Sequence, residues 1–380
     1  MKSGTSMGYP INKSKADFML GEDGLPFETG KKDFVEPVIA EIEVAMKNYE
    51  EGKRNYFIFK ACTKDEPTKL TKDKVRIFQA ANYLHQYAIR KYFLPLCNEM
   101  SKNPLLTECA VGIDPHSPDW DRLYRHLLEN GEDRVIAGDF ANFDHKATPE
   151  ISWAVFSVFF KIAKAAGYSD ADIKTMRAIA ADVIYPVMNM SGHLLSIFGS
   201  NPSGQNLTVY YNSVLNSILH RYAFFQQYPV GFLSNTPFAS VVRLTTYGDD
   251  CFMTVRKGYD RFNHTTIQQE FGKMNCKYTM ADKDQESVPY INIFDADYLK
   301  RKTVFRREYG KAGMYIAQLD ENSIYKSLYC NMLSDVDPPE AVSAMAIEGA
   351  IREWFFYGEE VYEDRRAKVL EEVYEDRRAK

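Results

Sequence analysis

The chain lacks a surplus of positive charge: 47 lysines and arginines stand against 52 acidic residues, for a formal net charge of −5 and a pI near 5.9. That excludes a generally basic nucleic-acid coat and confines any polyanion binding to a local channel. The six cysteines, at 62, 97, 109, 251, 276 and 330, are scattered, with no Cys-x2-Cys and no histidine at matching spacing. A zinc module and a disulfide frame are thereby excluded, and the thiols read as reduced in a cytosolic protein. Long apolar runs are missing too. The longest, Ile151 to Phe160, is too short to span a bilayer and leads into Lys161 and Lys164, which suits an amphipathic or buried helix. The opening Met-Lys-Ser-Gly-Thr-Ser has no signal-peptide apolar core, and no long low-complexity segment appears.

What is present is a folded protein's composition, with 45% hydrophobic residues, 25 tyrosines and 24 phenylalanines. At 380 residues it exceeds a typical single core, so two or three subdomains are expected. Basic residues cluster twice, at Lys53, Arg54, Lys60, Lys64, Lys69, Lys72, Lys74 and Arg76, and at Lys300, Arg301, Lys302, Arg306 and Arg307. Solvated faces also carry such runs, so each cluster is a candidate channel wall and no more.

The most informative stretch is 241–256, two β-branched and apolar runs facing each other across Tyr247-Gly248-Asp249-Asp250, the pattern of a hairpin with a Gly-Asp-Asp tip. Adjacent carboxylates at a turn repel each other, and divalent cations would reverse that repulsion. A second acidic pair, Asp139 and Asp144, follows the apolar run Val135-Ile136-Ala137, which reads as a strand. Nucleotidyl transfer uses two metals about 3.5–4 Å apart, and Asp139 and Asp249 would clamp them, with Asp250 assisting. Further on, Ser203-Gly204 leads into a long helix expected over 205–225, on which Thr208, Asn212 and Asn216 share one face. The rest of that helix is largely apolar, so these polar groups need partners, and Asp144 and a ribose could supply them. Gly204 is expected to let the loop flex.

These motifs resemble the palm of RNA-dependent RNA polymerases of picorna-like positive-strand RNA viruses, in the family's order from residue 5 to about residue 330. The resemblance implies an α/β (α+β) right-hand polymerase with fingers, an antiparallel palm sheet flanked by helices and a helical thumb. It implies fingers truncated on their N-terminal side, because a family member usually carries a sizeable segment before this point. The implied divisions are 1–108 (fingers), 109–176 (palm), 177–200 (a fingers insertion), 201–308 (palm with the catalytic hairpin) and 309–380 (thumb). The reaction implied is two-metal nucleotidyl transfer from nucleoside triphosphates onto a primer 3′-hydroxyl, with two Mg2+ or Mn2+ ions.

By the same resemblance Lys64 and Arg76, in a basic fingers hairpin, contact the triphosphate; Asp144, Ser203, Gly204, Thr208 and Asn212 contact the nucleotide; and Lys283 is the general acid. RNA contacts fall to Thr5 and Ser6 in a loop beside the template entrance, to Lys72 and Lys74, to Tyr247, and to Leu299, Lys300 and Arg301 in a primer-gripping hairpin. Implied partners are template and primer RNA, a genome-linked protein primer and other viral replication proteins, at membrane-associated complexes in host cytoplasm. A reverse transcriptase shares the two-carboxylate hairpin but tends to place an aromatic gate where this chain has Asp144. A non-catalytic RNA-binding fragment is the third reading.

Elsewhere the pattern predicts helices over 34–50, 79–100, 170–184 and 262–280, a strand through 56–59, a loop at 110–120 entering a short helix, and a hairpin over 185–198. Thr148, Pro149 and Gly167 bracket another helix. Thumb helices are expected over 320–357. Residues 359–368 recur unchanged as 371–380, within one expected charged helix.

Overall fold

The computed structural model describes residues 4–21, 33–64, 66, 75–141, 143–228, 236–281, 285–330 and 337–379. A short ribbon, β1 (Met19–Leu20) with β2 (Asp33–Phe34), precedes α1 (Glu36–Glu50), which buries the stripe Val38, Ile42, Ala45, Met46 and Tyr49. Next come β3 (Ile58–Thr63), β4 (Ile77–Ala80), α2 (Tyr83–Tyr92), α3 (Leu94–Lys102), α4 (Pro104–Thr107), α5 (Pro118–Leu127) and β5 (Val135–Phe140). Helix α6 (Pro149–Ala165) starts where Thr148 accepts from the Ile151 amide, and α7 (Asp170–Ile184) starts at a Ser169–Asp172 capping box. A hairpin follows, β6 (Val187–Met190) with β7 (His193–Ser196), and then α8 (Thr208–Gln226), α9 (Phe238–Val241), β8 (Val242–Tyr247) and β9 (Asp250–Val255). The remainder is α10 (His264–Lys273), β10 (Tyr278–Met280), β11 (Asp297–Tyr298), β12 (Arg301–Arg306), β13 (Met314–Leu319), α11 (Glu321–Tyr329), α12 (Pro339–Trp354) and α13 (Glu359–Ala379).

The central sheet runs β10-β5-β9-β8, antiparallel throughout. Strand alternation sends Val135, Ala137 and Phe252 to one face, against Trp120, Leu123, Tyr124 and Leu127 of α5. It sends Ile136, Cys251 and Met253 to the other, against Tyr211, Leu215 and Leu219 of α8 and Phe271 of α10. A second sheet, β4-β3-β6-β7, takes the β6–β7 hairpin in parallel beside β3, and a third is β11-β12-β13.

Several expectations shift. The helix expected over 79–100 is two, because Pro95 stands in the first turn of α3 and cannot donate to the turn before it. The strand expected at 56–59 begins only at Ile58, since Tyr56 sits at φ 54°, held there as the amides of Asn55 and Tyr56 donate to buried Asp182. Asp250 belongs to β9 and pairs with Tyr247, so the hairpin tip is Gly248-Asp249 alone, with Gly248 at φ 66° in the first loop position. The division expected at 176 falls inside α7, and the one at 308 in the turn between β12 and β13, which pair over six residues. Among the described residues no helix is long and apolar enough to cross a membrane.

Candidate active site

Two acidic residues face each other where two strands pair, and a third stands at the adjoining hairpin tip. In the β5–β9 register Gly138 faces Cys251, so one step further places Asp139 opposite Asp250, with their side chains on the same face. Gly138 has to be glycine: a Cβ there would lie 2.1 Å from the Tyr278 ring. Asp249 projects from the tip and is solvent-accessible. Its carboxyl is held above the usual range, first by desolvation from the protein around it and then by the like charges of Asp144 and Asp139, with its own backbone amide and the Arg76 cation opposing. Asp139, Asp144, Asp249 and Arg76 thus share one electrostatic neighbourhood.

Helix α8 fixes the tip from behind. Asn216 Nδ2 donates to the carbonyls of Gly248 (3.1 Å) and Asp249 (2.9 Å), and the Gly248 amide donates to Ser213 Oγ (2.9 Å). One turn earlier Asn212 Nδ2 donates to Asp144 Oδ1 (2.9 Å), the partnership expected for that helix face. The Thr208 hydroxyl is directed at the carbonyls of Ser203 and Gln205 (3.1 and 3.0 Å), tightening the first turn of the helix. Ser203 donates its amide and hydroxyl to Gln79 Oε1, both at 3.1 Å. Gly204 is not the hinge expected of it. Its amide donates to the Gln79 carbonyl at 3.0 Å, and a Cβ would sit 2.2 Å from that oxygen, so glycine serves close approach to β4.

The basic residues divide. Arg76 and Lys64 flank the β3–β4 hairpin, largely exposed, and both pair with Glu66, at 3.3 and 3.5 Å. Thr5 and Ser6 border a cleft of about 660 Å³ shared with Lys60, Arg90 and Gly204. Buried Lys15 clamps their loop by donating to Thr5 Oγ1 and the Ser6 carbonyl, each at 2.7 Å. Arg54 is engaged by the fold, donating from Nε to Asp182 Oδ1 at 2.8 Å.

Asp139, Asp250, Leu299 and Lys300 line a second cleft of about 870 Å³, and Tyr247 stays exposed at the end of β8. Arg301 does not face this space as an RNA contact would. It is 9% exposed, and its guanidinium makes a two-pronged pair with Glu353 (2.8 and 2.7 Å) while donating to the Ala317 carbonyl. Lys72, Lys74 and Lys283 lie outside the described residues.

Among the described residues no trio of carboxylates, imidazoles and thiols is drawn closely enough to cage an ion. A Mg2+ site has no need of such a cage, since that ion keeps waters and takes one or two carboxylates together with substrate phosphates. Hard oxygen donors on Asp139, Asp249 and Asp250, and the repulsion felt at Asp249, fit a divalent cation.

The sequence assigns no role to four contributors. Asn216 was legible on the polar face but had no assigned role. Asn201 and Gln205 join Asn212 in a buried amide row. Glu108, at φ 60°, receives both Arg221 nitrogens at 2.7 Å and accepts the Thr246 amide on its carbonyl, bracing β8. Nothing local in the sequence joins Glu108 to Arg221.

A family model described as viral RNA-dependent RNA polymerase matches residues 1–372. The replicase polyprotein of Drosophila C virus (strain EB) is 30% identical over 343 residues, covering 87% of this chain and 19% of that polyprotein. The replicase polyprotein of Cricket paralysis virus is 27% identical over 342 residues, with the same coverages of 87% and 19%. The RNA1 polyprotein of Tomato ringspot virus (isolate raspberry) is 30% identical over 345 residues, covering 86% of this chain and 15% of that polyprotein. The chain therefore spans less than a fifth of the length of these curated relatives. Among solved structures, the Sicinivirus 3Dpol RNA dependent RNA polymerase superposes with a TM-score of 0.72 at 21% identity, over 97% of this chain and 72% of that one. That likeness is one of fold, a mixed α/β right-hand polymerase.

Proposed function

The chain belongs to the viral RNA-dependent RNA polymerase family, and from that premise we propose that it copies an RNA template into RNA by joining nucleoside triphosphates to a primer 3′-hydroxyl. One observation carries the reading. A single helix, α8, bonds Asp144 through Asn212 and the Gly248-Asp249 tip through Asn216, one turn apart. The group that would read a ribose and the group that would hold metal are thereby set at a fixed spacing on one rigid element.

Asp139 and Asp249, with Asp250 beside them, are the residues that would hold divalent cations. Such cations supply charge neutralisation for an attacking hydroxyl and a departing pyrophosphate. The chain's own residues orient the reactants. Arg76 and Lys64 present cations to the triphosphate, and Glu66 must release them as phosphate arrives. Asp144, steadied by Asn212, accepts the ribose 2′-hydroxyl, so a deoxynucleotide leaves a polar group unanswered. The β11–β12 turn at Leu299-Lys300 lies across the second cleft from Asp139 and Asp250, where a primer end would rest.

The test is primer extension by purified protein on one RNA template with Mg2+, comparing ATP with dATP and a non-complementary nucleotide. The proposal expects template-directed ribonucleotide addition with dATP disfavoured by roughly 10-fold or more. Equal use of dATP would favour the reverse-transcriptase reading, and RNA binding without extension would favour a binding module.

A further inference from the structure

We infer that His85 and Gln205 are positioning residues for sugar selection, holding Asp144 from a distance through a row of buried amides. The inference rests on the reading of Asp144 as the group that meets the ribose.

As a carboxylate Asp144 only accepts, so Asn212 must turn its NH2 toward it, as observed at 2.9 Å. The Asn212 carbonyl then accepts from Asn201 Nδ2 (2.9 Å), and the Asn201 carbonyl accepts from Gln205 Nε2 (2.7 Å). Each amide's orientation is thus dictated by the carboxylate at the end of the row. Three amide dipoles align head to tail on one negative charge, an arrangement in which each bond strengthens the next. Asn201, Gln205 and Asn212 are all buried, so the row is shielded from competing water.

The row needs an origin. Among the described residues, Gln205 Oε1, turned inward by this logic, finds no hydrogen-bond partner, and neither does His85 Nε2. One is an acceptor and the other a ring nitrogen able to donate. They adjoin, because Gln86, the next residue of α2, donates to the Gly204 carbonyl at 2.9 Å and accepts the Asn206 amide at 3.0 Å, on either side of Gln205; burial pushes the His85 ring's pKa down, with Asp182 and then Gln205 opposing. A neutral ring carrying its proton on Nε2 answers both orphans.

The histidine is well anchored. It is fully buried, edge-on to Phe59 at 5.3 Å, with Nδ1 3.4 Å from the Tyr49 hydroxyl, which donates to Asp182 at 2.8 Å. Asp182 in turn holds Arg54 and the amides of Asn55 and Tyr56. A carboxylate with only Asn212 behind it could swing with the side chain of that one residue. With the row behind it, the geometry offered to a 2′-hydroxyl is tied to the base of the β3 strand.

The test measures kcat/KM for ATP and for dATP on one RNA template, together with melting temperature, in the full chain and in Asp144→Ala, Gln205→Met, His85→Phe and His85→Gln. Asp144→Ala should collapse the ribose preference. Gln205→Met and His85→Phe should each lower it by roughly 3–10-fold, with dATP use nearly unchanged and the double variant no worse than either single. His85→Gln, which keeps a donor toward Gln205, should retain it. That contrast with His85→Phe carries the test if Gln205→Met fails to fold. An intact preference in the folded variants, an equal loss on both nucleotides, or His85→Gln behaving like His85→Phe would each overturn the inference. If Asp144→Ala itself kept the preference, the reading of Asp144 would fall instead.

Discussion

Directly behind the acidic tip sits a histidine that the proposed chemistry does not use. His220 is fully buried among Phe140, Phe271 and Tyr278, with Nδ1 2.9 Å from the Asn216 carbonyl and Nε2 3.7 Å from Cys251 Sγ. Burial pushes its pKa down from 6.5 to about 4, with the Asn216 carbonyl opposing and the Arg221 and His264 charges adding to the fall. The sign follows from linkage. The unfolded chain takes up a proton near pH 6.5 that the native ring refuses, so stability is intact above that pH and declines as pH falls toward 4. Between pH 7 and pH 5 His220 alone should remove about 2 kcal/mol. Urea unfolding of His220→Gln at the two pH values should show a pH dependence shallower by that amount. Equal slopes in variant and parent would show that the native ring takes up its proton as readily as the unfolded chain does.

At the scale of elements, the two site hairpins solve their turns differently. The β8–β9 tip places glycine where φ is positive, whereas the β11–β12 turn puts Leu299 and Lys300 at φ 55° and 60° with side chains that disfavour it. Each such residue costs about 1 kcal/mol or more relative to glycine. The hairpin tolerates this because its flanks are over-determined. Tyr298 pairs with Arg301, the Asp320 amide donates to the Lys300 carbonyl, and Arg301 is bound through Glu353 to α12. Strain kept at a cleft wall suits a turn whose side chains are needed. Lys300→Gly should therefore raise stability by roughly 0.5–1 kcal/mol while weakening primed extension. A variant both more stable and fully active would mean that the lysine does not serve the primer.

Across the whole molecule, what the sequence disclosed was local. The hairpin around Gly248, the strand through Asp139, the Thr148 cap and the spacing of Asn212 and Asn216 all follow from turn chemistry and periodicity within a few residues, while the place of Asp250 in β9 does not. Beyond the Asp144–Asn212 pair and the meeting of the Asp139 strand with the hairpin, contacts between distant segments stayed hidden. Arg301 reads as a basic cluster until Glu353, far along the chain, claims it, and Gly204 reads as a hinge until Gln79 is seen against it. Pro95 does not by itself mark the break between α2 and α3 in the sequence, because proline is tolerated in a first helical turn. The repeated C-terminal segment does form one helix, as its charge pattern suggested. Its two copies are offset by twelve residues, about 120° around the axis, so they cannot present the same face. The first copy contributes Val361 to the cluster around Trp354 and sets Arg365 over the rings of Tyr325 and Trp354.

Under the proposed function Asp139 and Asp249 serve chemistry and not the fold. The most direct measurement is single-turnover nucleotide addition in Mg2+ by Asp139→Asn and Asp249→Asn, with RNA affinity and melting temperature taken on the same samples. Asparagine keeps the shape and removes the charge, and at Asp249 it also relieves repulsion from Asp144 and Asp139. Addition should slow by roughly 10³-fold or more, with RNA affinity little changed and a melting temperature no lower than the parent's. Addition at near-parental rates by either well-folded variant would contradict that role.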